Sequence, residues 1–203
     1  MAKAVRRSRE QTEGRLVAAV GVVLARDGVR GVGVNALARE AGVDKVLIYR
    51  YFGGLHELVS AYALSGDFWP TVEELTASCC SDCEVGTSAQ MLSRFFRGFA
   101  QAILKRPQTL EILAWEMVER NELTDILDNR RERTALELLQ RLPQGISSAL
   151  DLTAVISLLA GAVSYLAIAS RRRGSMGGLD LRSVAGWERV FDTLDIMIMK
   201  VCG

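Results

Sequence analysis

The chain has 203 residues, of which 49% are hydrophobic and 24% charged, with a formal net charge of +1. That length accommodates one large domain or a small domain joined to a larger one, and the balance excludes a disordered or fibrous chain. The net charge hides an asymmetry: residues 1–60 hold ten Lys/Arg against six Asp/Glu, and residues 61–203 hold fifteen against eighteen.

The basic surplus begins with Lys3, Arg6, Arg7 and Arg9, ahead of Glu10. Such an arm suits phosphate neutralisation, although many basic termini are only solvated tails. Glu10, Gln11, Thr12 and Glu13 follow in place of an apolar run, so no secretory signal is expected and the protein is expected in the cytoplasm. Apolar residues recur at helical spacing, and no stretch alternates with period two, so the predicted fold class is all-α.

A first helix is predicted from Ser8, where Ser8 and Gln11 have capping-box spacing. Its apolar stripe is Leu16, Ala19, Val20, Val23 and Leu24, and Gly28 ends it. A glycine-spaced connection, Gly28 to Gly33, leads to a short helix ending at Ala41. Gly42-Val43 then turns the chain into another short helix that runs through Phe52.

Ala38, Gly42 and Ile48 have the spacing Ala-x3-Gly-x5-Ile, which suits two short helices crossing at a sharp turn. Ala38 permits close approach, Gly42 can be left-handed, and Ile48 anchors the second helix to a core with Leu37, Val43 and Phe52. Asp44 can accept a backbone N–H as N-cap, leaving Lys45, Val46, Leu47 and Arg50 outward near the helix start. A helix entering a major groove by its N-terminal half needs such groups, because long donors read base edges and tyrosine hydroxyls hold phosphates. Lys45, Tyr49, Arg50 and Tyr51 supply them.

The string from Leu37 to Phe52 resembles the TetR family of bacterial repressors, above all in Ala41-Gly42-Val43, Tyr49, Tyr51 and Phe52. The resemblance covers about residues 9–62. It implies that Lys45 starts the recognition helix, that Tyr49 contacts phosphate, and that Val46, Leu47 and Arg50 read bases. The chain departs from the family pattern at three places. Gly33 stands where a threonine usually caps the second helix, Leu47 where a serine or threonine is usual, and Leu55 where a lysine is frequent. Gly33 still leaves the helix N-terminus open to a phosphate, and Leu47 offers a methyl contact to thymine. The expected DNA contacts are therefore Arg6, Arg7, Gly33, Lys45, Val46, Leu47, Tyr49, Arg50 and Tyr51.

Further helices are predicted over about 55–78, 88–105, 107–119, 121–141, 151–172 and 182–201, with Pro107 and Pro143 as boundaries. Loops are expected around 79–87 and 173–181. The expected division is a DNA-binding domain at 1–62 and a larger helical domain at 63–203. In the latter, Phe68, Trp69, Met91, Phe95, Phe99, Trp115, Met117 and Tyr165 could line a cavity, although residues of these types more often pack a core. The resemblance implies an effector pocket among these helices. Glu116 and Glu119 could orient an effector, but helix glutamates are mostly solvated.

Nineteen uncharged residues, Leu152 to Ser170, have the length of a membrane span. Their hydroxyls and the lack of a second span point to a helix buried between neighbours, so no membrane partner is expected. The last helix has the stripe Trp187, Val190, Phe191, Leu194 and Ile198, which serves either an interface or a core. With Leu152, Val155, Leu159, Val163 and Leu166, these are the candidates for a homodimer interface, the four-helix kind of dimer that the resemblance implies. Arg171, Arg172 and Arg173 end the uncharged helix where cations meet the negative end of its dipole.

Two other functions have partial signatures in the sequence. Cys79, Cys80 and Cys83 have spacings compatible with thiolate ligation, but three ligands fall one short, and His56 is the chain's single histidine. A cysteine-based metal or redox sensor using the same DNA-binding domain is therefore the alternative, and no metal or other cofactor is expected. Gly31-x-Gly33-x-x-Ala36 matches a relaxed dinucleotide fingerprint, but a helix precedes it where a strand is needed. With no nucleophile elbow, P-loop or histidine pair, no enzymatic activity is expected. The expected function is a sequence-specific, homodimeric DNA-binding regulator, a repressor released from its operator by an unknown small-molecule effector.

Overall fold

The computed structural model describes residues 2–80, 87–141 and 151–202. The helices are α1 (Ala2–Asp27), α2 (Val34–Ala41), α3 (Val46–Phe52), α4 (Leu55–Leu64), α5 (Val72–Cys80), α6 (Ser88–Leu104), α7 (Pro107–Glu116), α8 (Glu122–Arg141), α9 (Leu152–Arg172) and α10 (Val184–Cys202). A 3-10 turn covers Val29–Gly31. The fold is all-α, as the periodicity predicts. The single sheet among the described residues is a hairpin of β1 (Ser175–Met176) and β2 (Leu179–Asp180), inside the segment expected to be a loop.

Two helix boundaries differ from the sequence-based expectation. The first helix does not start at Ser8 but at Ala2, and Ser8 lies in its interior, its carbonyl accepting from Thr12 Oγ1 at 2.9 Å. A capping box terminates a helix only where the preceding residues leave helical conformation, and nothing in residues 2–7 breaks one. The stretch 55–78 is two helices, α4 and α5. Gly66 turns left-handed at φ 79° after α4, and Pro70, which has no N–H to donate, precedes α5. Pro107 opens α7 as expected, whereas Pro143 lies outside the described residues.

Contacts group the chain into two compact units, Met1–Trp69 with Arg106–Glu132, and Pro70–Lys105 with Arg133–Gly203. In the first unit, α2, α4 and α7 pack on α1. Its core holds the predicted stripe Leu16, Ala19, Val20, Val23 and Leu24, joined by Leu37, Ile48, Leu58 and Val59, all buried. The Trp115 indole N–H donates to the Ala25 carbonyl at 3.3 Å, fastening the end of α7 to the end of α1.

In the second unit, α6 is the hub, touching α5, α9 and α10. Its start is set by a complete capping box between Thr87 and Gln90. Leu92, Phe96, Phe99 and Ile103 are buried from α6, and Asp151 caps α9 by accepting from the Ala154 N–H at 3.0 Å. Arg97 ties α6 to α10. It meets Glu188 at 2.7 Å and Asp195 at 3.4 Å while lying 4.5 Å from the Phe191 ring centre.

The turn between α2 and α3 is constrained by its backbone conformation. Gly42 sits at φ 63°, a conformation that costs a residue with a Cβ about 1–2 kcal/mol. Gly42→Ala is therefore expected to lower unfolding stability by about that amount, and Gly42→Asn by less, because asparagine tolerates this region. Urea denaturation of both variants measures it. Equal stability of Gly42→Ala and the parent would contradict the assignment.

Candidate nucleic-acid interface

The candidate surface is built on the crossing of α2 and α3. After Ala41 the chain closes α2 with paired bonds, Val43 N–H to the Ala38 carbonyl at 3.0 Å and Gly42 N–H to the Arg39 carbonyl at 3.2 Å. This glycine-dependent arrangement satisfies the last carbonyls of α2 and reverses the chain within two residues. Asp44 then accepts from the Val46 N–H at 2.8 Å, the cap its position predicts. Ile48 is fully buried and holds α3 to the core formed with Leu37 and Ala38. Val43 and Phe52 are half-buried at its edge.

With Ile48 turned inward, the opposite side of α3 faces solvent. Lys45, Val46, Tyr49 and Arg50 are all exposed, Val46 by 59% and Tyr49 by 57%. Leu47 and Tyr51 are half-buried. The Tyr51 ring is held by the Arg9 guanidinium, 4.9 Å from its centre, and Arg9 in turn pairs with Glu13 at 2.7 Å. In the sequence Arg9 reads as part of the basic arm and not of the site. The signal was unreadable because Arg9 reaches Tyr51 only through the packing of α1 on its neighbours.

Gly33 is the N-cap of α2 with extended backbone and no side-chain cap bond, and a Cβ built on it meets nothing within 4 Å. The start of α2 is therefore open to an approaching group. Arg26 bridges the end of α1 to α2 through Glu40 at 2.8 Å. Leu55 begins α4, half-buried, where the family pattern has a cation. The structure thus brings Lys45, Val46, Tyr49 and Arg50 together on one exposed helix face. The side chains of Arg6 and Arg7 lie outside the described residues.

Residues 16–62 match the model of the bacterial regulatory proteins of the tetR family. Over these residues the N-terminal part is similar to the DNA-binding domain of that family. Solved structures extend the likeness of fold over most of the chain. The fatty acid degradation regulator FadR from Bacillus halodurans is 15% identical with TM-score 0.67, and the match covers 92% of this chain and 94% of that one. NalD from Pseudomonas aeruginosa, described as the secondary repressor of the MexAB-OprM multidrug efflux pump, is 18% identical with TM-score 0.65, covering 94% and 96%. A TetR-family regulator from Marinobacter aquaeolei VT8 is 15% identical with TM-score 0.62, covering 92% and 97%. No curated protein matches the chain. The matched segment is thus similar to a regulatory DNA-binding domain, and the fold of the chain is that of these solved regulators.

Beyond the TetR-type domain, the predicted cavity residues divide between the units. Phe68, Trp69, Trp115 and Met117 belong to the first, and Met91, Phe95, Phe99 and Tyr165 to the second. Phe68 and Trp69 are buried 6.1 Å apart, whereas Trp115 is spent on α1 and Met117 is 66% exposed. Phe95 stacks on Phe99 at 6.2 Å, and Tyr165 faces outward from α9.

Glu116 and Glu119 were expected to be solvated, and neither is. Glu119 pairs with Arg30 at 3.1 Å. The Glu116 side chain is only 9% exposed and stands 2.8 Å from Arg131 Nη1, close enough for charge pairing but misaligned for a hydrogen bond. Arg131 also meets Asp128 at 2.5 Å and lies 5.8 Å and 5.9 Å from the ring centres of Phe68 and Trp69. Periodicity could not foretell this, because the cation arrives from α8.

The dimer candidates Trp187, Val190, Phe191, Leu194 and Ile198 are buried in the second unit itself, so that stripe is a core stripe. Leu159 and Val163 are buried as well, and Leu152, Val155 and Leu166 half-buried. The uncharged outward face lies elsewhere. Ala154, Leu158, Gly161, Ala162 and Tyr165 are exposed on α9, and Ile196 and Met197 are exposed on α10. The thiols of Cys79, Cys80 and Cys202 and the whole of Cys83 lie outside the described residues.

Burial pushes the Glu116 carboxyl above the usual carboxylate range, with the Arg131 charge opposing. A carboxyl raised in this way contributes stability that is complete below its unfolded pKa and is lost as pH rises through the folded one. Glu116→Gln removes the buried charge and leaves Arg131 paired with Asp128. It is expected to melt above the parent at about pH 7, the gap closing as pH falls toward about 4, where the parent carboxyl is protonated. Calorimetry across that range tests this, and a gap that widens on acidification contradicts it.

Proposed function

We propose that the chain is a repressor that holds its operator as a homodimer through α3 and lets go when a small-molecule effector binds its larger helical part. The observation that carries the DNA reading is the exposed row Lys45, Val46, Tyr49 and Arg50 on a helix fixed by the Gly42 turn, within a domain matching the TetR family. In this reading residues 1–62 form the DNA-binding domain, and residues 63–203 sense and dimerise. Arg50 and Lys45 donate to base edges or phosphates, Val46 and Leu47 offer apolar contact to thymine methyls, and Tyr49 holds the backbone. Tyr51, steadied by Arg9, flanks them, and the open start of α2 at Gly33 presents N–H groups to a phosphate. Arg6 and Arg7 supply further phosphate neutralisation.

Dimerisation follows from DNA geometry, because two recognition helices must reach half-sites about 34–36 Å apart. The described residues offer a surface for it. α9 has the length and composition of a membrane-spanning helix with mean hydropathy 2.1, yet only 28% of that span is buried within the chain. Leu158, exposed by 74%, stands at its centre beside Gly161 and Ala162, whose small side chains let another helix approach. A second copy covering this face gives the helix the burial that its composition demands, in a protein read as cytoplasmic.

Release by an effector requires only that the ligand prefer the state whose recognition helices no longer fit the grooves. Each unit by itself has buried or half-buried groups of the type that line such pockets, Phe68 and Trp69 in the first and Met91, Phe95 and Phe99 in the second. NalD, described as a repressor of an efflux pump, is consistent with the repressor reading. The cysteine-based sensor is not favoured.

Fluorescence anisotropy against DNA flanking the protein's own gene, with scrambled DNA and a salt series, tests the DNA reading. Binding is expected to be selective and steeply salt-dependent. Arg50→Ala should lose about 1–3 kcal/mol on the operator, and Tyr49→Ala should weaken binding to both DNAs. Absence of binding to either DNA at low salt refutes the reading. In the same titration a true effector weakens operator binding about 5–150-fold, and a ligand that binds without that effect refutes release by that ligand.

The dimer face is tested separately. Leu158→Glu with Ile196→Glu is expected to give a folded monomer by sedimentation and circular dichroism, with operator binding lost. A variant that remains dimeric places the interface elsewhere.

A further inference from the structure

Two guanidinium groups, from different helices, approach the ring of Tyr51. Arg9 of α1 stands 4.9 Å from the ring centre and Arg50 of α3 stands 6.0 Å from it. A cation is attracted to the negative face of an aromatic ring out to about 6 Å, so both are within reach. Arg50 is exposed in the outward row of α3, whereas Tyr51 is half-buried. Consecutive residues of a helix point about 100° apart, so the backbone does not by itself bring the Arg50 guanidinium to the ring of its neighbour. The side chain has to turn toward it.

α1 arrives at this ring by its own periodicity. Its buried positions Thr12, Leu16, Ala19 and Val23 recur at helical spacing, and Arg9 extends the row by one further step toward the N-terminus. There the row leaves the core and meets Tyr51 with a cation in place of an apolar group. Glu13, one turn on, balances that charge, its Oε1 lying 2.7 Å from Arg9 Nε. Two like charges at one ring repel each other unless one is neutralised. Glu13 neutralises Arg9, and Arg50 is left as the cation presented outward.

We propose that Arg9 is a positioning residue for sequence recognition: through the Tyr51 ring it fixes where the Arg50 guanidinium stands before DNA arrives. The inference rests on the reading of α3 as the helix that enters the major groove. An arginine reads guanine through two parallel N–H bonds, so its discrimination depends on the angle at which the fork arrives. A side chain already held also loses less freedom on binding than one that must first be ordered. Phosphate contacts need no such aim and carry no sequence information. Arg9 therefore acts on the preference for one sequence over another, which separates it from a basic arm that only neutralises phosphates.

The test uses the full chain, the sequence it selects from a randomised DNA duplex pool, and a scrambled duplex of the same length and composition. Arg9→Met is expected to lower the ratio of the two affinities about two- to fivefold, the size of one exposed cation–ring contact. Tyr51→Leu should lower the ratio at least as far, and Tyr51→Phe, which keeps the ring and loses a hydroxyl that serves both duplexes alike, should retain it. In an Arg50→Ala background, Arg9→Met should change the ratio no further. In the free protein, the order parameter of the Arg50 Nε–H group by nitrogen relaxation should fall in Arg9→Met and Tyr51→Leu and be kept in Tyr51→Phe. If Arg9→Met weakens both duplexes equally, Arg9 is a phosphate contact and the proposal is overturned while the DNA reading stands. An Arg50 order parameter that Arg9→Met leaves unchanged, or a fall in the ratio that persists in the Arg50→Ala background, overturns it in the same way. A parent protein that selects no sequence overturns the DNA reading and the proposal with it.

Discussion

The reversal at Gly42 is the constraint on which the DNA-facing surface depends. Two residues must close α2, turn the chain and start α3, and the left-handed backbone at Gly42 is what allows the carbonyls of Ala38 and Arg39 to be satisfied while this happens. Once the turn is made, Asp44 caps α3 and Ile48 goes into the core. The outward placement of Lys45, Val46, Tyr49 and Arg50 then follows from helical periodicity, since residues flanking one buried position on a short helix must face away from it. The surface is rigid at its base and long-armed at its tip, which suits a helix that must enter a groove without losing its register.

The same unit fastens this surface to a helix from later in the chain. Trp115 docks on the last turn of α1, and Arg30 pairs with Glu119 beside it. The next residue after Trp115 is the buried Glu116, whose charge Arg131 balances without a well-aligned hydrogen bond. A buried charge pair with imperfect bonding adds little net stability, because desolvation offsets most of its attraction. A group that altered the pairing of Glu116 would act one residue from the contact that holds α1, and α1 carries the core on which α2 and α3 rest.

The second unit shows how an uncharged helix can be needed without being wholly internal. α9 buries Leu159, Val163 and Ala167 within the unit and leaves Leu158, Gly161, Ala162 and Tyr165 outside. Its outward face lacks the charge that would keep it in water alone. The alternation of large and small residues there is what close helix packing uses. α10 buries an apolar stripe against α6, pairs Glu188 and Asp195 with Arg97, and leaves Ile196 and Met197 outside.

Sequence alone determined the all-α class, the small helices of the N-terminal part, its turn and cap, and which residues of α3 face outward. Those features are set within a few residues of one another. A glycine in a left-handed turn, an aspartate two residues before the N–H it caps, and one buried isoleucine on a short helix all leave a local trace. Tertiary structure alone decided where long-range partners meet. The stripe Trp187 to Ile198 is equally consistent with a core and an interface until α6 is seen to cover it. Glu116 looks like any helix glutamate until α8 brings Arg131, and Arg9 is part of a basic tail until α1 packs it over Tyr51. Burial is a property of the neighbours, and periodicity reveals which residues share a face but not which element arrives to cover it.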